Sequence, residues 1–310
     1  MKKGLIFLSV ILFIMFLIGC SNNNAQNNNE QNNEQINNNE NNNDSNESNE
    51  NTDMNEGNEE DEAVDGDINE DNGKEEDEDE VVEVQDPLYE LTEVWTVRPI
   101  EPETTNSNVV LLTIDDSFDT SSKKQYYALE MAEILQNLDA SAIFFVNGAG
   151  LQGSESHIEE NREMLRKLYE MGFEIGNHTM THPNLREISE EEQRQQIVEL
   201  NDLIEEIIGE RPRFFRAPFG ANTDYSRQVV EEEGMQWMNW SYGFDYFPQY
   251  VGDAEALTEI MLDPTSEGVS LTNGANLLMH DRDFTTEALH DIVVGLQEKG
   301  FEIVNPSLIK

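Results

Sequence analysis

The chain has 310 residues, a formal net charge of −47 and one cysteine. A surface this acidic disfavours nucleic acid and anionic lipid as direct partners, and a lone cysteine leaves no partner for a disulfide. The first element in chain order is an address. Lys2 and Lys3 precede an apolar run over residues 5–18, which ends in Ile18-Gly19-Cys20. Two cations, a short apolar core and small residues at its end describe a secretory signal over residues 1–20. The 14 residues of the run fall short of the roughly 20 needed to span a bilayer as a helix.

Leu17-Ile18-Gly19-Cys20 has the form of a bacterial lipobox. Processing is therefore expected to leave Cys20 as a lipidated N-terminus, with the mature chain on the extracellular face of the cytoplasmic membrane, held there by a lipid anchor alone. Residues 21–86 contain 24 acidic residues, with Lys74 as the one cation, in a background of Asn and Gln. Such a segment buries too little apolar area to offset the entropy of ordering it, so it reads as a disordered spacer. Its 66 residues reach about 40–50 Å as a flexible coil, enough to carry a domain away from a membrane.

From Pro87 onward the composition turns globular and fits one domain with a sizeable core. Residues 87–105, with scattered apolar side chains and three prolines, predict an extended strap packed on that domain. Short apolar runs at 109–114, 142–147, 173–177, 214–216, 235–239, 276–280 and 301–305 predict strands. Helical periodicity fills the intervals at 122–138, 157–171, 189–208, 223–233, 253–262 and 285–299, with a capping box expected at Ser189 and Glu192. Strands alternating with helices make this an α/β chain, and seven such units favour a distorted (β/α)7-type barrel of parallel strands over an open sheet, occupying residues 106–310.

In a barrel of this kind, chemistry gathers at the C-terminal ends of the strands. Asp115 and Asp116, His178 and His182, Arg216 and His280 all fall at such ends. Two adjacent carboxylates leaving a strand point in different directions, so one can bind a metal while the other handles protons, although an isolated Asp-Asp is also a common strand end or helix cap. His178 and His182, four residues apart, face the same side of a helical turn and can reach one ion. Alone, the same pair reads equally well as a satisfied surface or core pair.

Thr113-Ile114-Asp115-Asp116, His178-x3-His182, Arg216-Ala217-Pro218-Phe219-Gly220, Asp245-Tyr246 and Leu278-Met279-His280 occur in that order. Their sequence and spacing resemble the five motifs of the polysaccharide deacetylases with the NodB-homology fold, carbohydrate esterase family 4, over about residues 109–306. The resemblance implies one divalent metal, zinc first and cobalt, nickel or manganese as alternatives, bound by Asp116, His178 and His182. It implies Asp115 as general base, held by Arg216, and His280 as general acid, held by Asp245. The backbone N–H of Phe219, beside Pro218, would serve the oxyanion, and Leu278 with Tyr246 would line an acetyl pocket. Two departures stand out. Ile114 and Ser117-Phe118 occupy places where the family carries Phe and Gly-Pro, and Tyr246 occupies the place of a Trp. Asp119, just beyond, is expected to face solvent.

The expected activity is metal-dependent hydrolysis of N-acetyl groups on a cell-wall amino-sugar polymer, with peptidoglycan as first choice and a monomer as the acting form. The alternatives are an amidohydrolase acting on a small acetylated amine, and a wall-binding lipoprotein of the same fold without catalysis.

Overall fold

In the computed structural model, residues 86–120, 126–153 and 155–310 are described. The signal segment 1–20 with Cys20, the spacer up to residue 85, residues 121–125, which include the start of the first expected helix, and residue 154 lie outside them.

The strap is a hairpin, not the single extended segment that its composition suggests. Strand β1 (Tyr89–Leu91) pairs antiparallel with β2 (Val97–Pro99). The connecting turn closes through Thr92, whose hydroxyl meets that of Thr96 at 2.8 Å. Seven parallel strands follow: β3 (Val109–Ser117), β4 (Ile143–Val146), β5 (Glu174–Asn177), β6 (Phe214–Phe215), β7 (Gln236–Trp237), β8 (Ala275–His280) and β9 (Glu302–Ile303). Their spatial order is β7-β6-β5-β4-β3-β8, with β9 beside β3. This is the expected parallel sheet, and its distortion lies at the seam. Strands β7 and β8 do not pair directly. Instead the segment after β7 reaches across, with Ser241 N–H and Tyr242 N–H donating to Asn276 O and Leu278 N–H donating to Tyr242 O at 2.7 Å.

Helices α1 (Ala128–Asn137), α2 (Ser156–Glu170), α3 (Glu190–Ile208), α4 (Asp224–Glu232), α5 (Ala254–Leu262) and α6 (Asp283–Glu298) cover the outside. The expected capping box is present at the start of α3. Ser189 Oγ accepts from Glu192 N–H, and the Glu192 carboxylate accepts from Ser189 N–H at 2.8 Å. Helix α3 ends where Gly209 turns left-handed at φ +80°.

Successive strand residues face opposite sides, and the longest strand shows what that produces. On β3, Val110, Leu112 and Ile114 pack outward into the core shared with the helices. Val109 and Leu111 face inward and pack with Phe145, Phe214, Met238 and the strap residues Tyr89 and Val97. Further along the same inward row come Thr113 and Asp115, both buried. The interior is therefore apolar at the N-terminal end of the strands and polar at the C-terminal end.

Gly274 joins the strap to this barrel. It stands at φ +77°, donates to Val109 O at 2.7 Å and accepts from Val97 N–H at 2.8 Å. A Cβ there would overlap the Val97 carbonyl oxygen, whereas at Gly268, also left-handed, it would meet nothing. Gly268→Ala should thus cost only the left-handed backbone penalty of about 1–2 kcal/mol. Gly274→Ala should cost clearly more, as read by the urea midpoints of the two variants.

Candidate active site

The polar end of β3 carries a bulge. Asp115 is in register with Phe145 and Ser117 with Val146, so Asp116 is an extra residue, at φ +70°. The bulge changes the expectation for the adjacent carboxylates. Rather than diverging, both turn toward His178, whose Nε2 lies 3.6 Å from Asp115 Oδ2 and 3.5 Å from Asp116 Oδ1.

The histidines are brought together by a loop, not by the helical turn their spacing suggests. Residues 178–182 leave β5 without helical structure, and Thr179 and His182 both adopt positive φ, at 71° and 56°. Side-chain amides hold that loop. Asn147 Nδ2 donates to His178 O and Thr179 O, Asn177 Oδ1 accepts from Thr179 N–H, and Gln196 Oε1 accepts from Thr181 N–H.

Asp116, His178 and His182 present ligand atoms within 4.8 Å of one another. His178 Nδ1 lies 2.7 Å from the Arg216 carbonyl, which accepts, so Nδ1 carries the hydrogen and the Nε2 lone pair faces Asp116. Asp116 Oδ1 is buried without a well-formed hydrogen bond, yet lies 3.5 Å from His178 Nε2 and 3.2 Å from His182 Nε2. A tetrahedral ion with bonds of about 2.0–2.1 Å sets its ligand atoms about 3.3–3.4 Å apart, so these edges fit a small divalent ion. The electrostatics agree. Burial opposes charge on His178, but Asp115 and Asp116 outweigh it and raise its pKa. Burial also opposes charge on Asp116, but hydrogen bonding to His178 and His182 and attraction to His280 hold its carboxyl well below the usual carboxylate range. The cluster thus favours positive charge at its centre, which a divalent ion would supply.

Asp115 is held from the other side by Arg216, which has no exposed surface. Arg216 Nη1 donates to Asp115 Oδ1 at 2.7 Å and to Thr113 Oγ1 at 2.8 Å, while Nη2 donates to Asn239 O at 3.0 Å. Its guanidinium stacks 4.4 Å from the centre of the Phe145 ring. Across the strand pair, Asp115 is in register with His280 on β8. His280 Nδ1 lies 2.8 Å from Asp245 Oδ1, and its backbone N–H donates to Asp245 Oδ2 at 2.7 Å. Thr285 Oγ1 also donates to that carboxylate. Burial opposes the charge of both partners. Attraction and hydrogen bonding within the pair outweigh it, lowering Asp245 and raising His280 from their ordinary values.

The remaining expected residues surround this cleft. Leu278 is buried on β8, two residues before His280. Tyr246 is 39% exposed, its ring 6.0 Å from that of His280 and its hydroxyl accepting from Trp240 Nε1. Pro218 opens a short turn in which Phe219, at φ 58° and 68% exposed, sets its ring 4.8 Å from His182. Asp119 departs from expectation: it is only 6% exposed, because Phe118 at φ 65° turns the chain back and Asp119 N–H bonds Asp116 O. Thr113, Asn239 and Asn276 around Arg216, and Asn147, Asn177 and Gln196 behind the histidine loop, went unread in the sequence. A signal existed for Thr113 and Asn276, since each is a polar residue at an inward position of an apolar strand.

Comparison with known proteins places these features in context. The profile described as "Polysaccharide deacetylase" matches residues 102–238. The peptidoglycan-N-acetylmuramic acid deacetylase PdaC of Bacillus subtilis is 26% identical over 230 residues, which are 74% of this chain and 44% of that protein. A peptidoglycan-N-acetylglucosamine deacetylase of Bacillus cereus is 27% identical over 204 residues, 65% of this chain and 88% of the relative. This chain thus spans less than half the length of the first of these relatives and most of the second. Among solved structures, a carbohydrate esterase family 4 pseudoenzyme from Bacillus anthracis superposes with a TM-score of 0.54 at 26% identity, covering 66% of each chain.

One divalent ion per chain is expected at Asp116, His178 and His182. Asp116→Ala should abolish its retention through dialysis, as measured by elemental analysis. Asp115→Asn, which changes a group beside the ligands, should weaken affinity by no more than about 10–100-fold. Loss of the ion from Asp115→Asn alone would show that the two carboxylates exchange roles.

Proposed function

We propose that this chain, which belongs to the polysaccharide deacetylase family, hydrolyses N-acetyl groups on a cell-wall amino-sugar polymer, with peptidoglycan as first choice. The observation that carries this reading is the meeting of three systems in one cleft: a metal-fitting Asp-His-His set, a buried Arg216–Asp115 pair and a buried Asp245–His280 pair. A metal-binding scaffold alone needs neither pair.

Amide hydrolysis asks for three things: an activated water, stabilisation of charge on the carbonyl oxygen, and a proton for the departing nitrogen. A divalent ion, zinc in this reading, supplies Lewis acidity toward the carbonyl when bound. Asp115, fixed by Arg216, accepts a proton from the attacking water. Phe219 N–H hydrogen-bonds the oxygen as it gains charge. His280, oriented through Nδ1 by Asp245, gives a proton to the amine nitrogen as the C–N bond breaks. Leu278 and Tyr246 enclose the acetyl methyl, so acetate and a free amino sugar leave. Export through the signal segment, lipidation at Cys20 and the acidic spacer would put a monomeric domain within reach of the wall, on the outer face of the membrane.

Purified protein loaded with zinc should release acetate from N-acetylated peptidoglycan, and a chelator should stop it. Asp115→Asn should lower turnover by about 10²–10⁴-fold, the usual worth of a positioned base. The departures at Ile114, Ser117-Phe118 and Tyr246 and the likeness to a pseudoenzyme support the inactive reading, and absence of acetate from several glycans with metal-loaded protein would establish it. Activity confined to small acetylated amines would instead establish the small-substrate reading.

The His280 pair sets a pH limb. A general acid works only while protonated, and Asp245 raises the His280 pKa, so activity should fall as pH rises through that raised value. Asp245→Asn removes the raising charge and should move the alkaline limb of kcat/KM to lower pH. An unmoved limb would exclude His280 as the acid.

A further inference from the structure

At the other end of the strands from the cleft lies a groove of about 940 Å³ between the strap hairpin and the N-terminal ends of β6 and β7. Two tryptophans form its corner. Trp95, from the tip of the strap, meets Trp237, on edge strand β7, with ring centres 6.0 Å apart and planes at 65°. Both are only partly buried. Trp95 stands at φ 61°, a conformation that a bulky side chain adopts only under constraint, and Arg227 covers one face of Trp237 at 4.7 Å.

Three polar atoms at this groove lack protein partners. Gln236 Oε1 is buried without a hydrogen bond, and neither indole N–H finds an acceptor among the described residues. One acceptor, two donors and two aromatic rings inclined at 65° match an acetamido group and hydroxyls attached to an apolar ring face. The charges at the rim balance, with Glu90, Glu93 and Glu231 against Arg213, Arg227 and Lys310. Arg213 is already committed to Glu174 and to the carbonyls of Pro306 and Ile309. Neither an anionic nor a cationic ligand is selected by such a rim.

From these features we infer that the groove binds a neutral N-acetylated amino-sugar chain, holding the polymer at a second place away from the cleft. The choice of sugar rests on the proposed activity, but the binding does not require turnover.

The test is calorimetric titration of an N-acetylglucosamine tetramer into the full chain carrying Asp115→Asn, so that ligand is not consumed. Wild-type groove residues should give a binding component that Trp95→Ala removes and Trp95→Phe, which keeps packing but loses the N–H, weakens. Gln236→Leu should weaken it about tenfold, as for loss of one buried hydrogen bond, without lowering Tm. In the otherwise unaltered enzyme, Trp95→Ala should leave kcat on a short soluble substrate unchanged and reduce retention on insoluble polymer. Superimposable isotherms across the variants would overturn the inference, as would competition by an acidic peptide in place of the sugar. If Trp95→Ala fails to fold, Trp95→Phe and Gln236→Leu still decide. Groove binding without any acetate release would remove the proposed activity and leave this inference standing.

Discussion

A guanidinium with no exposed surface, inside a barrel, organises this protein. Arg216 sits over Phe145 with no water to solvate it, so its charge has to be met by protein oxygens. Asp115 meets the charge, and Thr113, Asn239 and Asn276 meet N–H groups of Nη1 and Nη2, while the Nε–H is buried without a hydrogen bond among the described residues. These partners come from β3, β8 and the segment after β7, the parts of the sheet where the barrel closes irregularly. Removing one member of a buried pair usually costs about 3–5 kcal/mol, because the other is left charged and unpaired. The pair therefore fixes where Asp115 points, and it ties the seam together at the level of the cleft.

Everything else in the cleft is arranged by reference to that carboxylate. The register of β3 against β8 sets His280 opposite it, and the Arg216 carbonyl fixes the tautomer of His178. Asp245 then holds His280 as Arg216 holds Asp115. The result is a buried Arg216–Asp115 pair and a largely buried Asp245–His280 pair flanking the Asp116, His178 and His182 cluster.

Backbone strain collects in the same place. Among the described residues, non-glycine positions with positive φ include Asp116, Phe118, Thr179, His182 and Phe219, all at the cleft. Each such residue costs of order 1–3 kcal/mol and persists only where its surroundings over-determine it. Here the surroundings are the bulge in β3, the amides of Asn147, Asn177 and Gln196, and the turn opened by Pro218. The apolar row of Val109 and Leu111 below, packed on Phe145 and Phe214, gives these strained loops a rigid floor.

The alternation of apolar runs with helical segments was enough to read a parallel α/β barrel, because strand and helix periods are local properties of the chain. Their places at strand ends likewise singled out Asp115, Asp116, His178, His182, Arg216 and His280, and the resemblance to the polysaccharide deacetylases divided them into an expected ligand set, Asp116, His178 and His182, and the groups around it. Tertiary structure alone decided how they meet. The histidine spacing suggested a helical turn, but a loop with two left-handed residues does the work. The paired carboxylates were expected to diverge, but a one-residue bulge turns both toward His178. Asp119 was expected in solvent and is buried, and the strap turned out to be a hairpin carrying Trp95 to Trp237. For the bulge and the histidine loop the deciding contacts join residues far apart in the chain, such as Asp115 with Phe145 and Asn147 with His178. Positive φ, bulges and buried polar partners are imposed by such contacts, and no local pattern of residues encodes them.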